Sequence, residues 1–201
     1  MSILEITQLR LKGLTADDAT LLERLSYVRD RLRTSSRFFC CVEDPSLIYI
    51  FGLWESLGAH LDFLASPECS EILKPQEEIL SFQWTIHVEL RDCISFLSDM
   101  SHMTIERIEV NTAHIDRYTK ALDEHKQALQ NTDSVHITYG WRCDTPIGSY
   151  QSVVIMGSNS NRRYSAEDCI ASAVAGIDGC TGILLHHAWD IERAQSMDQA
   201  I

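Results

Sequence analysis

The segment LIYIFGLWESLGAHLDFLASPE, Leu47 to Glu68, changes hydrophobic period part-way along. Leu47, Ile48, Tyr49, Ile50, Phe51 and Leu53 form a short run of β-formers, as a well-buried strand requires. Gly52 interrupts the run, and a strand glycine marks a bulge or a close approach of another group. Leu57, Leu61 and Leu64 then follow at helical spacing and form one apolar stripe. Ser66 is expected to cap a second helical piece, with Pro67 at its first position, where no N–H is needed. Pro75 limits how far that piece runs.

Working outward, Ile3–Leu11 reads as a strand ended by Lys12-Gly13. Thr15 with Asp18 is the expected capping box of a helix whose buried stripe is Leu21, Leu22, Leu25, Val28 and Leu32. Arg24, Arg29, Arg31 and Arg33 are expected on its solvated face. Phe38–Val42 is a second strand, and Glu43-Asp44-Pro45-Ser46 a turn. Phe82–Leu90 is a fourth strand with strict alternation. Phe82, Trp84, Ile86, Val88 and Leu90 lie on one face, and Gln83, Thr85, His87 and Glu89 on the other. The order βαββαβ is a ferredoxin-like unit.

The pattern then repeats after a linker at 91–103. Strands are expected at Ile105–Val110, Val135–Arg142, Tyr150–Met156 and Gly182–Ile191. One helix is striped by Ile115, Tyr118, Leu122 and Leu129. A second is capped by Ser165 with Asp168 and continues through Ile170, Ala173, Val174 and Ile177. The expected division is therefore 1–90, linker 91–103, and 104–201. One βαββαβ unit covers a single sheet face with its helices, so the other face needs a partner. The expected class is α+β, with two ferredoxin-like repeats packed as a pseudo-dimeric barrel; a homodimer through exposed helices or strand edges remains open to the tandem chain.

Trp54-Glu55-Ser56, Ala59-His60, Phe63, Ser66-Pro67-Glu68 and the upstream Glu43-Asp44-Pro45 turn resemble the antibiotic-biosynthesis-monooxygenase-like members of the dimeric α+β barrel superfamily. The second half lacks Trp-Glu-Ser and has Gly157-Ser158-Asn159 at the matching strand end. The resemblance speaks to fold, because the superfamily hosts several reactions. Its haem-degrading members use an asparagine, a tryptophan and a histidine. The matching positions here are Thr7, Phe63 and Leu73, a departure that argues against haem degradation.

The chain has 201 residues and a net charge of −12, which opposes nucleic-acid backbones and anionic membranes. It shows no membrane-length apolar run and no signal pattern, so a cytoplasmic protein is expected. Seven cysteines without a CxxC pair read as reduced thiols. Gly176–Gly182 lies between a helix and a strand, the wrong order for a phosphate loop. No cofactor motif and no metal-ligand spacing is present, so neither a cofactor nor a metal is expected.

For chemistry, the polar face of the fourth strand is the expected lining of a small-molecule site. His87 is the candidate acid or base, with Thr85 and Glu89 beside it; the structural alternative is a sheet histidine at an interface. His186 with Asp190 forms a second candidate, and the alternative is an edge histidine beside a solvated acid. Adjacent His186 and His187 face opposite ways and cannot share one metal. Arg107 shares a strand face with Glu109, to bind an oxyanion or to pair with each other. Trp54, Trp84 and Trp141 are candidate walls of an aromatic-substrate pocket, or plain core residues. His60, between stripe positions, carries little weight by this reading.

Two functions are carried forward. The first is a cofactor-independent tailoring enzyme of secondary metabolism: a cyclase, isomerase, decarboxylase or monooxygenase for an aromatic or polyketide-like molecule. The second is a non-catalytic small-molecule-binding or stress-response barrel protein. A polar-lined cavity of a few hundred Å3 favours the first, and a solidly packed interior the second.

Overall fold

A computed structural model describes residues 2–90, 100–132, 136–158 and 169–198. The chain forms two compact units: residues 1–89 together with 189–201, and residues 90–188. The C-terminal tail therefore belongs with the first half of the chain.

The first unit contains β1 (Ile3–Leu11), α1 (Ala19–Leu32), β2 (Arg37–Cys41), β3 (Leu47–Trp54), α2 (Leu57–Leu64), α3 (Pro67–Leu73), a 3-10 turn at Lys74–Glu78 and β4 (Leu80–Leu90). The antiparallel order is β4-β1-β3-β2, the ferredoxin-like arrangement read from the sequence. The second unit repeats this order as β8-β5-β7-β6. Its strands are β5 (His102–Val110), β6 (His136–Arg142), β7 (Tyr150–Ser158) and β8 (Cys180–Asp190). Its helices are α4 (Ile115–Thr132) and the single turn α5 (Ile170–Ala173). The helix α6 (Ile191–Asp198) follows β8. Among the described residues, no helix is long and apolar enough to cross a membrane.

Both faces of the first sheet are buried, and they differ in chemistry. One face packs Leu4, Ile6, Phe39, Phe51, Ile86 and Val88, all buried, with Phe39 edge-on to Phe51 at 5.4 Å. Gln8 donates to the Tyr49 hydroxyl at 2.7 Å on the same side, so its buried amide is satisfied. The opposite, helix-covered face has an apolar end built from Leu21, Leu25, Phe38, Cys40, Ile48 and Leu80. Ile191 of α6 completes that cluster. Asp190, fully buried, pairs with Arg37 and caps α6 by accepting from Arg193 N at 3.0 Å. The other end of the face is polar, and there the candidate site lies.

Four expectations are corrected. The cap of α1 is Asp18, which accepts from Thr20 N at 2.8 Å. Thr15 instead closes a turn before the helix, with its carbonyl accepting from Asp18 N. In β4 the alternation breaks: Gln8 pairs with Trp84 but Leu9 with Phe82, leaving Gln83 as an extra residue. Such a bulge moves everything beyond it to the other face, so Phe82 shares the face of Leu9, Thr7 and Thr85. In α2 the Leu57, Leu61, Leu64 stripe does not define the buried side. Leu61 and Leu64 are exposed, and the residue of α2 that is buried is His60. Finally, Arg29 is not on a solvated face: it is half-buried and paired with Glu192. The Ser165/Asp168 cap lies outside the described residues, and α5 spans four residues only. The six cysteines among the described residues are free thiols. Burial pushes those of Cys40 and Cys41 up to about 12 and about 11.

Candidate active site

Trp54 closes β3, and the next residues set up everything above it. Ser56 caps α2 by accepting from Ala59 N at 3.1 Å. That start places His60 one turn in, facing the sheet. Its ring stacks on Trp54 with centroids 4.5 Å apart and planes 28° apart. Phe63, a turn further on, extends the stack at 5.7 Å from Trp54.

Beneath this stack, register brings together residues distant in sequence. In β1, Glu5 lies opposite His87 of β4 and Gly52 of β3, and Thr7 lies opposite Thr85. Gly52 matters because a Cβ there would meet Ser36 Oγ at 3.4 Å and Glu5 Oε2 at 3.5 Å. The glycine leaves the carboxylate its room, which is the close approach a strand glycine signals.

Glu5 is organised by neutral donors. Thr7 Oγ1 donates to Oε1 at 2.6 Å, and Trp54 Nε1 donates to Oε2. Thr7 and Thr85 share a further hydroxyl contact. His60 Nε2 stands 3.6 Å from Glu5 Oε2, and His60 Nδ1 lies 2.6 Å from His87 Nε2. An ionised Glu5 selects one arrangement of protons: His60 carries hydrogen on Nε2, toward the carboxylate, and accepts at Nδ1 from His87 Nε2. Burial lowers the His60 pKa from its ordinary value; Glu5 opposes that shift and His87 adds to it. The result is a carboxylate–imidazole–imidazole chain in which the histidine is held neutral.

A cavity of about 420 Å3 opens onto this chain from between the sheet and the helices of the first unit. Its polar end presents Glu5, Thr7, Thr85 and His60. Its walls are apolar, with Leu25, Val28, Phe38, Ile50, Phe63 and Phe82 among them. The Glu5 side chain keeps 15% of its surface exposed and His60 only 5%, so the carboxylate is the better presented group.

Of the residues expected from sequence, Trp54 and Thr85 line this cavity and His87 stands behind His60. Trp84 lies on the opposite face against Tyr49, at 6.0 Å. Glu89 is exposed. Asp190 is bound to Arg37 and the start of α6 rather than arranged as a base. His186, Arg107 and Trp141 belong to the second unit. There Arg107 donates to Gln151 Oε1 at 3.1 Å, and Trp141 packs on Tyr118 at 5.8 Å. Glu5 and His60 were missed as chemistry. The available signal was an acid in the middle of a strand with apolar neighbours on both sides, since buried carboxylates are rare unless partnered.

No family model matches the chain, and no curated protein matches it in sequence. Solved structures do match it. An anthrone oxidase-like protein aligns with a TM-score of 0.66 at 13% identity, over 94% of this chain and 91% of the other. A protein from Lactobacillus acidophilus, provisionally described as a monooxygenase, aligns at 0.59 and 13%, over 94% of each chain. The chain has the dimeric α+β barrel fold. A heme-binding protein from Thermus thermophilus with this barrel fold aligns at 0.60 and 9%, over 98% of this chain and 94% of the other. Each of these barrel alignments runs through both units.

The Thermus protein raises the question of haem. Thr7, Phe63 and Leu73, the positions matched to the haem-degrading residues, all line the cavity. The lining does not fit a resident haem. Its imidazole, His60, has Nδ1 engaged by His87, Nε2 turned to Glu5, and its ring face covered by Trp54. No nitrogen of that ring is offered to the cavity as an axial ligand. Among the described residues, no group of three His, Cys, Asp or Glu side chains could hold a metal ion.

Proposed function

We propose that the protein is an enzyme that moves a proton on a small, aromatic or polyketide-like molecule, with Glu5 as the acid–base group. The observation that carries this is the meeting of a partly exposed carboxylate and a buried imidazole pair at the polar end of an apolar cavity. Neutral His60 turns its Nε2–H toward Oε2 and is held in turn by His87 Nε2–H, so the imidazole pair orients the carboxylate and stabilises its ionised form between taking a proton from the substrate and returning it. The apolar walls exclude water and fix the substrate's orientation, which is itself a large part of catalysis. Cyclisation, isomerisation, decarboxylation and cofactor-free oxygenation all need this proton step; the tailoring role in secondary metabolism belongs to the same reading. His87, expected from the sequence as the acid or base itself, is given instead the part of holding His60. His186 and Asp190 are given none.

The two units are proposed to be tandem copies of one βαββαβ repeat. Their shared strand order supports it, as does a glutamate on the helix-covered face of each first strand, Glu5 and Glu106.

The test begins with native mass spectra of the protein mixed with a small-molecule extract of its source organism. A retained adduct of defined mass is expected. That compound, incubated with the protein in deuterated water, should gain deuterium at an acidic position. Glu5→Gln should slow this by about 10^2–10^4-fold, the usual worth of a positioned acid–base group. Exchange at the wild-type rate in Glu5→Gln would end the assignment.

A further inference from the structure

We propose that the cavity selects an aromatic ligand bearing a cationic ammonium group and rejects carboxylates of the same shape. The inference rests on the reading of the cavity as the substrate site. Glu5, Glu77, Arg29 and His60 are the ionisable groups in the lining.

Arg29 is already neutralised. Its Nη1 donates to both oxygens of Glu192 at 3.0 Å and to the Ser36 carbonyl at 3.2 Å. Its guanidinium sits 5.0 Å above the Phe38 ring. A carboxylate ligand would have to compete with Glu192, whose two oxygens both accept from Nη1, to reach it. Glu5 is in the opposite condition. Its described donors, the Thr7 hydroxyl and the Trp54 indole, are both neutral, and a carboxylate has room for further acceptance. Burial keeps His60 from supplying the missing positive charge. Glu77, exposed, adds a second negative group. The cavity thus has negative charge in excess and positive charge pre-paired.

The aromatic lining suits the same ligand. Trp54, Phe63, Phe82 and Phe38 all line the cavity, and aromatic rings near a carboxylate favour an ammonium. The net charge of −12 adds long-range attraction for cations. Glu192 then acts as a specificity residue that never needs to touch the ligand: by holding Arg29 it removes the cavity's anion-binding group.

The full chain would be titrated with phenethylamine, phenethyl alcohol and phenylacetate, with ligand-observed NMR as the readout. The amine should bind about tenfold more tightly than the alcohol, and phenylacetate most weakly. Glu192→Gln should strengthen phenylacetate several-fold, because Arg29 is released, and leave the alcohol unchanged. Glu5→Gln should abolish the preference for the amine. Equal binding of amine and carboxylate by the wild-type chain, or no binding of the amine, would overturn the proposal without reference to either variant. The two readings fail separately. Deuterium exchange with no charge preference removes this inference and leaves the proton-transfer enzyme. A charge preference with exchange unaffected by Glu5→Gln does the reverse.

Discussion

His60 is a basic side chain that the fold keeps from being basic. Burial among Trp54, Phe63 and the sheet disfavours its charged form, and the nearby Glu5 only partly opposes this. A histidine whose folded pKa lies below its unfolded value near 6.5 binds protons better when the chain is unfolded. Its contribution to stability is therefore intact above that value and is lost as pH falls below it. The midpoint of urea unfolding should drop as pH is lowered from 7 toward 5, a window set by the unfolded value. In His60→Phe, which keeps the ring against Trp54, that decline should be shallower. An identical pH slope in the variant would mean that other groups carry the effect. At this scale the sequence was legible in part. Trp54, Thr85 and His87 could be picked from strand position and residue type. Glu5 could not, because its partners come from register across three strands, and the helix that brings His60 to it turns on a cap rather than on its leucine stripe.

At the scale of elements, alternation and helical spacing located every described strand and the helices α1 to α4, while α6, at the end of the last strand, was not read from the sequence. What they also missed were local breaks in period. The extra residue at Gln83 rotates Phe82 onto the cavity side, and nothing in a run of alternating apolar residues announces it. The second unit shows the same principle in β7. At Gly157, opposite Met103 of β5 and His136 of β6, a Cβ would lie 1.6 Å from the sulfur of Met100, which is buried. The glycine is where the Met100 side chain crosses the strand. Gly157→Ala should cost about 1–3 kcal/mol as an overpacking change, read from the urea unfolding free energy. A neutral result would show that Met100 swings aside. Glu106 anchors α5 in a comparable way, accepting from Ile170 N at 2.9 Å and Ala171 N at 2.8 Å. Burial nonetheless raises its pKa, since two amide donors do not fully replace water.

At the scale of the whole molecule, the first unit is assembled from both ends of the chain. Ile191 is fully buried in the α1–sheet cluster, and Glu192 and Asp190 hold Arg29 and Arg37. A period-by-period reading could not find this, because the tail's partners are set by tertiary contact and not by spacing. Ile191→Ala should cost about 2–5 kcal/mol, the range for truncating a buried aliphatic side chain. The loss should appear as reduced hydrogen-exchange protection in β2, against which α6 packs. Unchanged protection would make the tail dispensable.

The same arrangement has a consequence for the order in which the protein is made. The segment through residue 89 leaves the ribosome with one of its own pieces still untranslated. At about 5–20 residues per second, the roughly 100 residues in between take on the order of 5–20 s to synthesise. For that interval the place that Ile191 fills stands open, and Arg29 waits for its acid. A stop codon at Ile191 or before it would therefore damage the half of the protein that was made first.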